Sequence, residues 1–207
     1  MRADPTAGIF IMHHERRPSY EAFSIPYGRV CLKLGLTPNI LTVLGLLTGA
    51  VAAVAFWHEW FIPGVVLMLL AALWDMLDGA TARAGNLGTT FGGVLDHTVD
   101  RAGEFLVIAG IVMSGHVAAG WGLLALFAMW SSSYVRAVAE SKGGLPTCAV
   151  GIAGRLEKFA IIIAGAVCEI FWPYQALTVA MIVVTVISLV TTIQRLVFTY
   201  QELQKRA

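Results

Sequence analysis

The chain has 207 residues, 57% of them hydrophobic and 13% charged, with a mean hydropathy of +0.75. A soluble domain carries about 25% charged residues, so this composition excludes an ordinary water-soluble domain. The formal net charge of +1 is uninformative by itself, no nucleic-acid partner is expected, and three cysteines without a paired spacing argue against a disulfide framework or a zinc site.

Residues 1–17 are polar and mixed, with His13, His14, Arg16 and Arg17, and read as a loose cytoplasmic leader. Residues 18–36 mix Tyr20, Phe23, Ile25, Val30, Leu32 and Leu34 with Arg29 and Lys33. That pattern suits an amphipathic segment lying at the membrane surface, broken at Pro26. Thr37-Pro38-Asn39 opens the first long apolar run, with Thr37 as the cap and Pro38 at the first helical position.

A membrane-spanning helix needs about 20 mostly apolar residues. Six runs qualify: 38–57, 61–82, 91–114, 118–140, 154–172 and 175–197. The first begins well into the chain and no small-residue cleavage site follows it, so it reads as a span and not as a signal peptide. The expected fold is an all-α integral membrane protein with six transmembrane helices plus an N-terminal juxtamembrane amphipathic segment. Residues 1–36 form the leader and interfacial segment, 37–200 the membrane domain, and 201–207 a cytoplasmic tail.

Lys and Arg favour cytoplasmic loops. With both termini cytoplasmic, that side receives Arg2, Arg16, Arg17, Arg29, Lys33, Arg83, Lys142, Arg155, Lys158, Lys205 and Arg206. The three outer connections, 58–60, 114–117 and around 171–173, contain no Lys or Arg. Trp57, Trp60, Trp121, Trp130 and Trp172 fall mostly near span ends, where interfacial aromatics gather. The expected location is a cell membrane, crossed several times.

The stretch Trp74–Arg101 breaks the apolar pattern. Asp75, Asp78, Gly79, Ala82 and Arg83 follow helical offsets that trace one stripe, and Gly92, Asp96 and Asp100 trace a second. The short connection between them predicts adjacent antiparallel helices whose stripes face each other at the cytoplasmic end. An intramembrane charge costs roughly 2.5–3.5 kcal/mol even on a lenient scale, so such acids default to function. Protonation can neutralise them, but a divalent cation does so and gives the site a use. Hard oxygen ligands select Mg²⁺, Mn²⁺ or Ca²⁺. Four aspartates suffice for two ions about 4 Å apart, the arrangement that clamps a phosphoryl group. Gly79, Ala82 and Gly92 clear space for a bulky group such as a nucleotide, with Arg83 at the rim to pair with phosphate. His97 points roughly 100° away from Asp96 and reads as a packing residue. Glu104 extends the Asp96/Asp100 stripe, either supporting the acids or pairing with a nearby base. His58 and His116 fall on the outer side and receive no role.

Written out from Asp75 to Asp100, the stretch is D-x2-D-G-x2-A-R-x8-G-x3-D-x3-D. It resembles the signature of the CDP-alcohol phosphotransferases at every defined position, and the six-span layout and Pro38-Asn39 opening extend the resemblance over most of the chain. The resemblance implies attack of an alcohol on the β-phosphate of a CDP-linked lipid, with CMP leaving. It implies metal binding by Asp75, Asp78 and Asp96, with Asp100 near a second ion and acting as the base. It implies two Mg²⁺ or Mn²⁺ ions, nucleotide-lipid contacts from Asn39, Gly79, Ala82, Arg83, Thr89 and Gly92, and a homodimer.

Ser133, Arg136, Arg155, Lys158 and Arg195 fall near the cytoplasmic ends of the last three spans. Several cations around one pocket suggest an anionic acceptor such as a phosphorylated polyol. Ser133-Tyr134-Val135-Arg136, the 153–158 stretch AGRLEK and Arg195 resemble the inositol-phosphate-using branch, which makes phosphatidyl- or archaetidylinositol phosphate. Ser133, Arg136, Arg155 and Arg195 are the acceptor contacts this implies. Val138 departs from the pattern, standing where a second base is expected. Glycerol 3-phosphate is the rival acceptor. A divalent-cation transporter is the rival of another class; it would want acids near mid-membrane and a polar path to both faces.

Overall fold

Thr37 and Pro38 start the first long helix as their chemistry requires. Thr37 Oγ1 accepts a 3.4 Å hydrogen bond from the Ile40 amide, and Pro38 sits in the first turn, where its missing N–H costs nothing. The structure, a computed structural model, describes the backbone of residues 17–206 and the side chains of 24–206. The leader at 1–16, with His13 and His14, and the side chains of Tyr20 and Phe23 lie outside the described residues.

Seven helices and no strands form among the described residues: α1 (Arg17–Lys33), α2 (Pro38–Trp57), α3 (Phe61–Gly85), α4 (Thr90–Met113), α5 (Ala119–Ser141), α6 (Arg155–Cys168) and α7 (Ala176–Gln204). Four of them, α2, α3, α5 and α7, are long and apolar enough to cross a membrane. Helix α4 is long enough but carries Asp96, Asp100, Arg101 and Glu104. The fifth run is shorter than its apolar stretch suggested. With 14 residues, α6 extends about 21 Å, against about 30 Å of hydrocarbon. Conversely, α7 continues to Gln204, past the expected end at 197.

Two expectations are corrected. Pro26 does not break α1, which runs through it. Packing decides this: α1 lies on α3 so closely that an added Cβ at Gly28 would overlap the Ala80 carbonyl. The second concerns α3 and α4, which are consecutive but not packed backbone to backbone. Helix α2 packs against both, α5 and α6 pack on α7, and α6 also touches α3. An added Cβ at Gly110 of α4 would overlap the Ala53 carbonyl of α2, so these two backbones are in direct contact. The short 86–89 connection, with Asn86 left-handed at φ 51°, therefore leads into a groove between α3 and α4.

The core joins Phe56, Ile111, Met129, Ile162, Leu177, Met181 and Val184 from α2, α4, α5, α6 and α7. The opposite faces of α2 and α7 expose Val43, Leu47, Val51 and Val54, and Val183, Val186 and Leu189. Such apolar outward faces fit a lipid surround. Cys31 and Cys148 are buried as apolar fillers, and all three cysteines are free.

At the end that holds the α2–α3, α4–α5 and α6–α7 connections lies a polar cluster that the residue pattern did not disclose. Glu169 is 1% exposed; it accepts from the amides of Tyr174 and Leu177, the latter at 2.7 Å, and lies 2.7 Å from His116 Nδ1. The His116 ring stacks on Tyr174 at 4.3 Å and meets Phe61 edge-on at 4.9 Å. His116, left without a role by the sequence, is thus buried and ties three connections together.

Candidate active site

The acids meet at the opposite end, where α3, α5 and α7 finish and α2, α4 and α6 begin. Helical spacing puts Asp75 and Asp78 on one face of α3, and Asp96 and Asp100 on one face of α4. One carboxylate oxygen each from Asp75, Asp78 and Asp96 lies within 4.8 Å of the others. Asp96, His97 and Asp100 form a second such triple. Asp96 is common to both. The exposed His97 ring therefore reaches the acids, which its angular offset from Asp96 did not suggest. All donors but one are carboxylates, a set that suits hard divalent cations.

Thr42 of α2 completes the first triple. Its hydroxyl donates a 2.7 Å hydrogen bond to Asp78 Oδ2, and Asp78 is buried. Nothing in sequence reasoning singled out Thr42, because its partner lies 36 residues away. The nucleotide-contact residues converge at the start of α4. Thr89 caps that helix, its Oγ1 accepting from the Gly92 amide at 2.9 Å. A Cβ on Gly92 would stand 3.1 Å from Thr89 Oγ1 and 3.5 Å from Asn39 Oδ1. Gly79 and Ala82 remain partly exposed on α3. Arg83 folds back over Gly79, where an added Cβ would lie 3.2 Å from Arg83 Nη1, and donates to Ser24 Oγ of α1 at 3.1 Å. The space that Gly79 clears is thus shared with Arg83.

Arg155 belongs to two groups of residues at once. Expected among the acceptor contacts, it stands between the acids: its Nη1 is 2.9 Å from Asp75 Oδ1 and 2.6 Å from Asp100 Oδ1. Its guanidinium covers the Phe159 ring at 5.2 Å. Two recesses meet here. A narrow, mainly apolar groove between α2, α3, α4 and α6 runs from Asp75, Asp78, Asp96 and Asp100 to Met68, Val107 and Ile163. A cavity of about 730 Å³ is lined by Ser133, Arg136, Arg155, Lys158 and Arg195. Asp100 and Arg155 line both.

The four expected acceptor contacts share this cavity, with different local ties. Arg136 Nε donates to Glu140 at 2.9 Å, and Ser133 Oγ accepts from Arg101 at 2.7 Å. Arg195 is 8% exposed, bonded to the carbonyls of Val150 and Ser132 at 3.0 and 2.5 Å. Lys158, also buried, donates to Ser132 Oγ at 2.9 Å. The expectations passed over Arg101 and Ser132; their one local signal was position, each next to a residue that had been singled out.

The model of the CDP-alcohol phosphatidyltransferase family matches residues 35–197. The chain belongs to this family. Membership makes it a transferase and displaces the divalent-cation transporter reading. It is 35% identical over 193 residues to an archaetidylinositol phosphate synthase of Methanothermobacter thermautotrophicus, covering 93% of this chain and 96% of that one. It is 36% identical over 195 residues to a phosphatidylinositol phosphate synthase of Mycobacteroides abscessus, covering 87% and 84%. Crystal structures of the Mycobacterium tuberculosis phosphatidylinositol phosphate synthase superimpose with a TM-score of 0.76 at 32% identity. One is a complex with manganese and citrate and covers 86% of this chain and 88% of that one. The other has CDP-DAG bound and covers 86% and 94%.

Proposed function

We propose that this protein transfers a phosphatidyl-type group from a CDP-lipid, CDP-diacylglycerol or CDP-archaeol, to a hydroxyl of inositol phosphate. The observation that carries this is the junction of an acid-lined apolar groove with a cationic cavity, through Asp100 and Arg155. The groove suits a lipid with an anionic pyrophosphate head; the cavity suits a phosphorylated polyol. The relatives named for inositol phosphate products support the same acceptor.

Asp75, Asp78 and Asp96 are the residues to hold one divalent ion, and Asp96 with Asp100 a second, as Mg²⁺ or Mn²⁺. The close carboxylate triples fit that role. When bound, such ions neutralise charge that builds on a transferring phosphoryl group. The chain's own residues do the rest. Asn39, Thr89, Gly92, Gly79, Ala82 and Arg83 form the rim against which the nucleotide lies. Ser133, Arg136, Arg155 and Arg195, with Lys158, hold the acceptor's phosphate. Asp100 takes the proton of the attacking hydroxyl; a new P–O bond forms at the β-phosphorus while the bond to CMP breaks, and CMP leaves.

The membrane domain spans 37–200 and crosses six times, the four long apolar helices being joined by α4 and by the shorter α6. Both termini face the cytoplasm, and the protein pairs as a homodimer. The excess of Lys and Arg at the acid end supports that orientation.

A transfer assay with labelled CDP-lipid and Mn²⁺ tests the reaction against inositol 1-phosphate, free inositol, glycerol 3-phosphate and serine. CMP release with inositol 1-phosphate is expected. Turnover with serine or free inositol alone would remove the anionic-acceptor reading, and preference for glycerol 3-phosphate would reassign the acceptor.

A further inference from the structure

We infer that Glu104 is a positioning residue for the transfer reaction, fixing the Arg155 guanidinium where groove and cavity meet. The inference rests on the reaction proposed above. Glu104 lies one turn beyond Asp100 on α4 and is 1% exposed. A carboxylate this deeply buried is retained only with paired charges. It has two. Its Oε2 accepts from Arg101 Nη1 at 2.7 Å, and its Oε1 lies 3.9 Å from Arg155 Nε.

Arg155 is thereby held on two edges. Nη1 faces Asp75 and Asp100, while Nε, buried and without a hydrogen-bond partner, faces Glu104. The Phe159 ring closes one flat face. Arg101 Nη1 also donates to Ser133 Oγ on α5, so one carboxylate links α4, α5 and α6 around the junction. An amide in its place would remove the negative charge between the two guanidiniums and leave Asp75 and Asp100 as the remaining carboxylates beside Arg155. Arg155 would then be drawn wholly onto Asp75 and Asp100, occupying oxygens needed for a cation and vacating the cavity wall.

The test uses the full chain in detergent, with Mn²⁺ affinity read by electron paramagnetic resonance, which needs no turnover. Glu104→Gln is expected to weaken Mn²⁺ binding about tenfold and to lower kcat/KM for inositol 1-phosphate about 100-fold, the scale of a misplaced catalytic group. Against an Arg155→Ala background the same substitution is expected to change Mn²⁺ affinity less than about threefold, because the two residues act as a unit. Equal losses with and without Arg155, or unchanged Mn²⁺ affinity in Glu104→Gln, would overturn the inference. Should Glu104→Gln fail to fold, Glu104→Asp keeps the charge but retracts it by one methylene, and the same coupled loss is required of it. A wild-type chain that neither binds Mn²⁺ nor releases CMP refutes the proposed reaction instead. A wild type that does both, with an additive cycle, refutes the role of Glu104 alone.

Discussion

Thr42 Oγ1 donates to Asp78 Oδ2 at 2.7 Å, fastening α2 to the acid face of α3. The bond fixes one oxygen of a buried carboxylate that belongs to the Asp75/Asp78/Asp96 triple. Thr42→Val keeps the volume and removes the donor. Hydrogen bonds to charged groups are worth about 1.5–3 kcal/mol, so Mn²⁺ affinity is expected to fall at least about tenfold, with Thr42→Ser restoring it. Mn²⁺ titration of the three proteins checks this; equal affinities would separate Thr42 from the site.

Asp100 stands at the meeting of groove and cavity, outside the Asp75/Asp78/Asp96 triple. Asp100→Asn is therefore expected to abolish CMP release while CDP-lipid still binds. General-base catalysis contributes typically about 10²–10⁴-fold, so residual turnover should lie at or below the lower bound. Near-normal activity would move the base elsewhere. Asp75→Asn, by contrast, is expected to weaken Mn²⁺ binding and turnover together.

Gly110 permits backbone contact between α4 and α2. Gly110→Ala is expected to lower stability by about 1–3 kcal/mol, as overpacking does, and to weaken Mn²⁺ binding by pushing Asp96 away from Asp78. Gly103→Ala on the same helix meets nothing within 4 Å and is expected to be neutral or stabilising. Thermal melts of both in detergent check the contrast.

Glu169 holds the end of the molecule remote from the acids. Leaving a buried hydrogen-bonding group without its partner costs about 1–3 kcal/mol, and Glu169→Ala is expected to destabilise by at least that order. It leaves two amides and His116 Nδ1 without their acceptor. Adding His116→Ala to Glu169→Ala should then cost little more. Melting curves, with CMP release measured well below the transition, check that the loss is one of stability.

Much of the site was legible because its signal is local. Asp75, Asp78, Asp96 and Asp100 declare themselves by lying at helical spacing in an apolar setting, where a charge without a purpose is too costly to keep. The same holds for the ends of α2: a Thr-Pro pair and a run of apolar residues act within one helical turn of themselves. What spacing could not tell was which helices touch. The short 86–89 connection suggested that α3 and α4 pack together, yet their backbones stay apart, each packed on α2, and across the groove their carboxylates converge.

The sequence by itself determined that this chain is helical and apolar, that four aspartates gather at one end, and which family's chemistry they resemble. Apolar periodicity and the cost of buried charge operate over a few residues and need no partner. Only the tertiary structure decided that Arg155 stands among the acids, that Glu104 lies beside Arg101 and Arg155 and Thr42 bonds to Asp78, and that Glu169 and His116 are buried together. Those pairings join residues on different helices, and electrostatic attraction selects a partner by distance in space, to which separation along the chain is no guide.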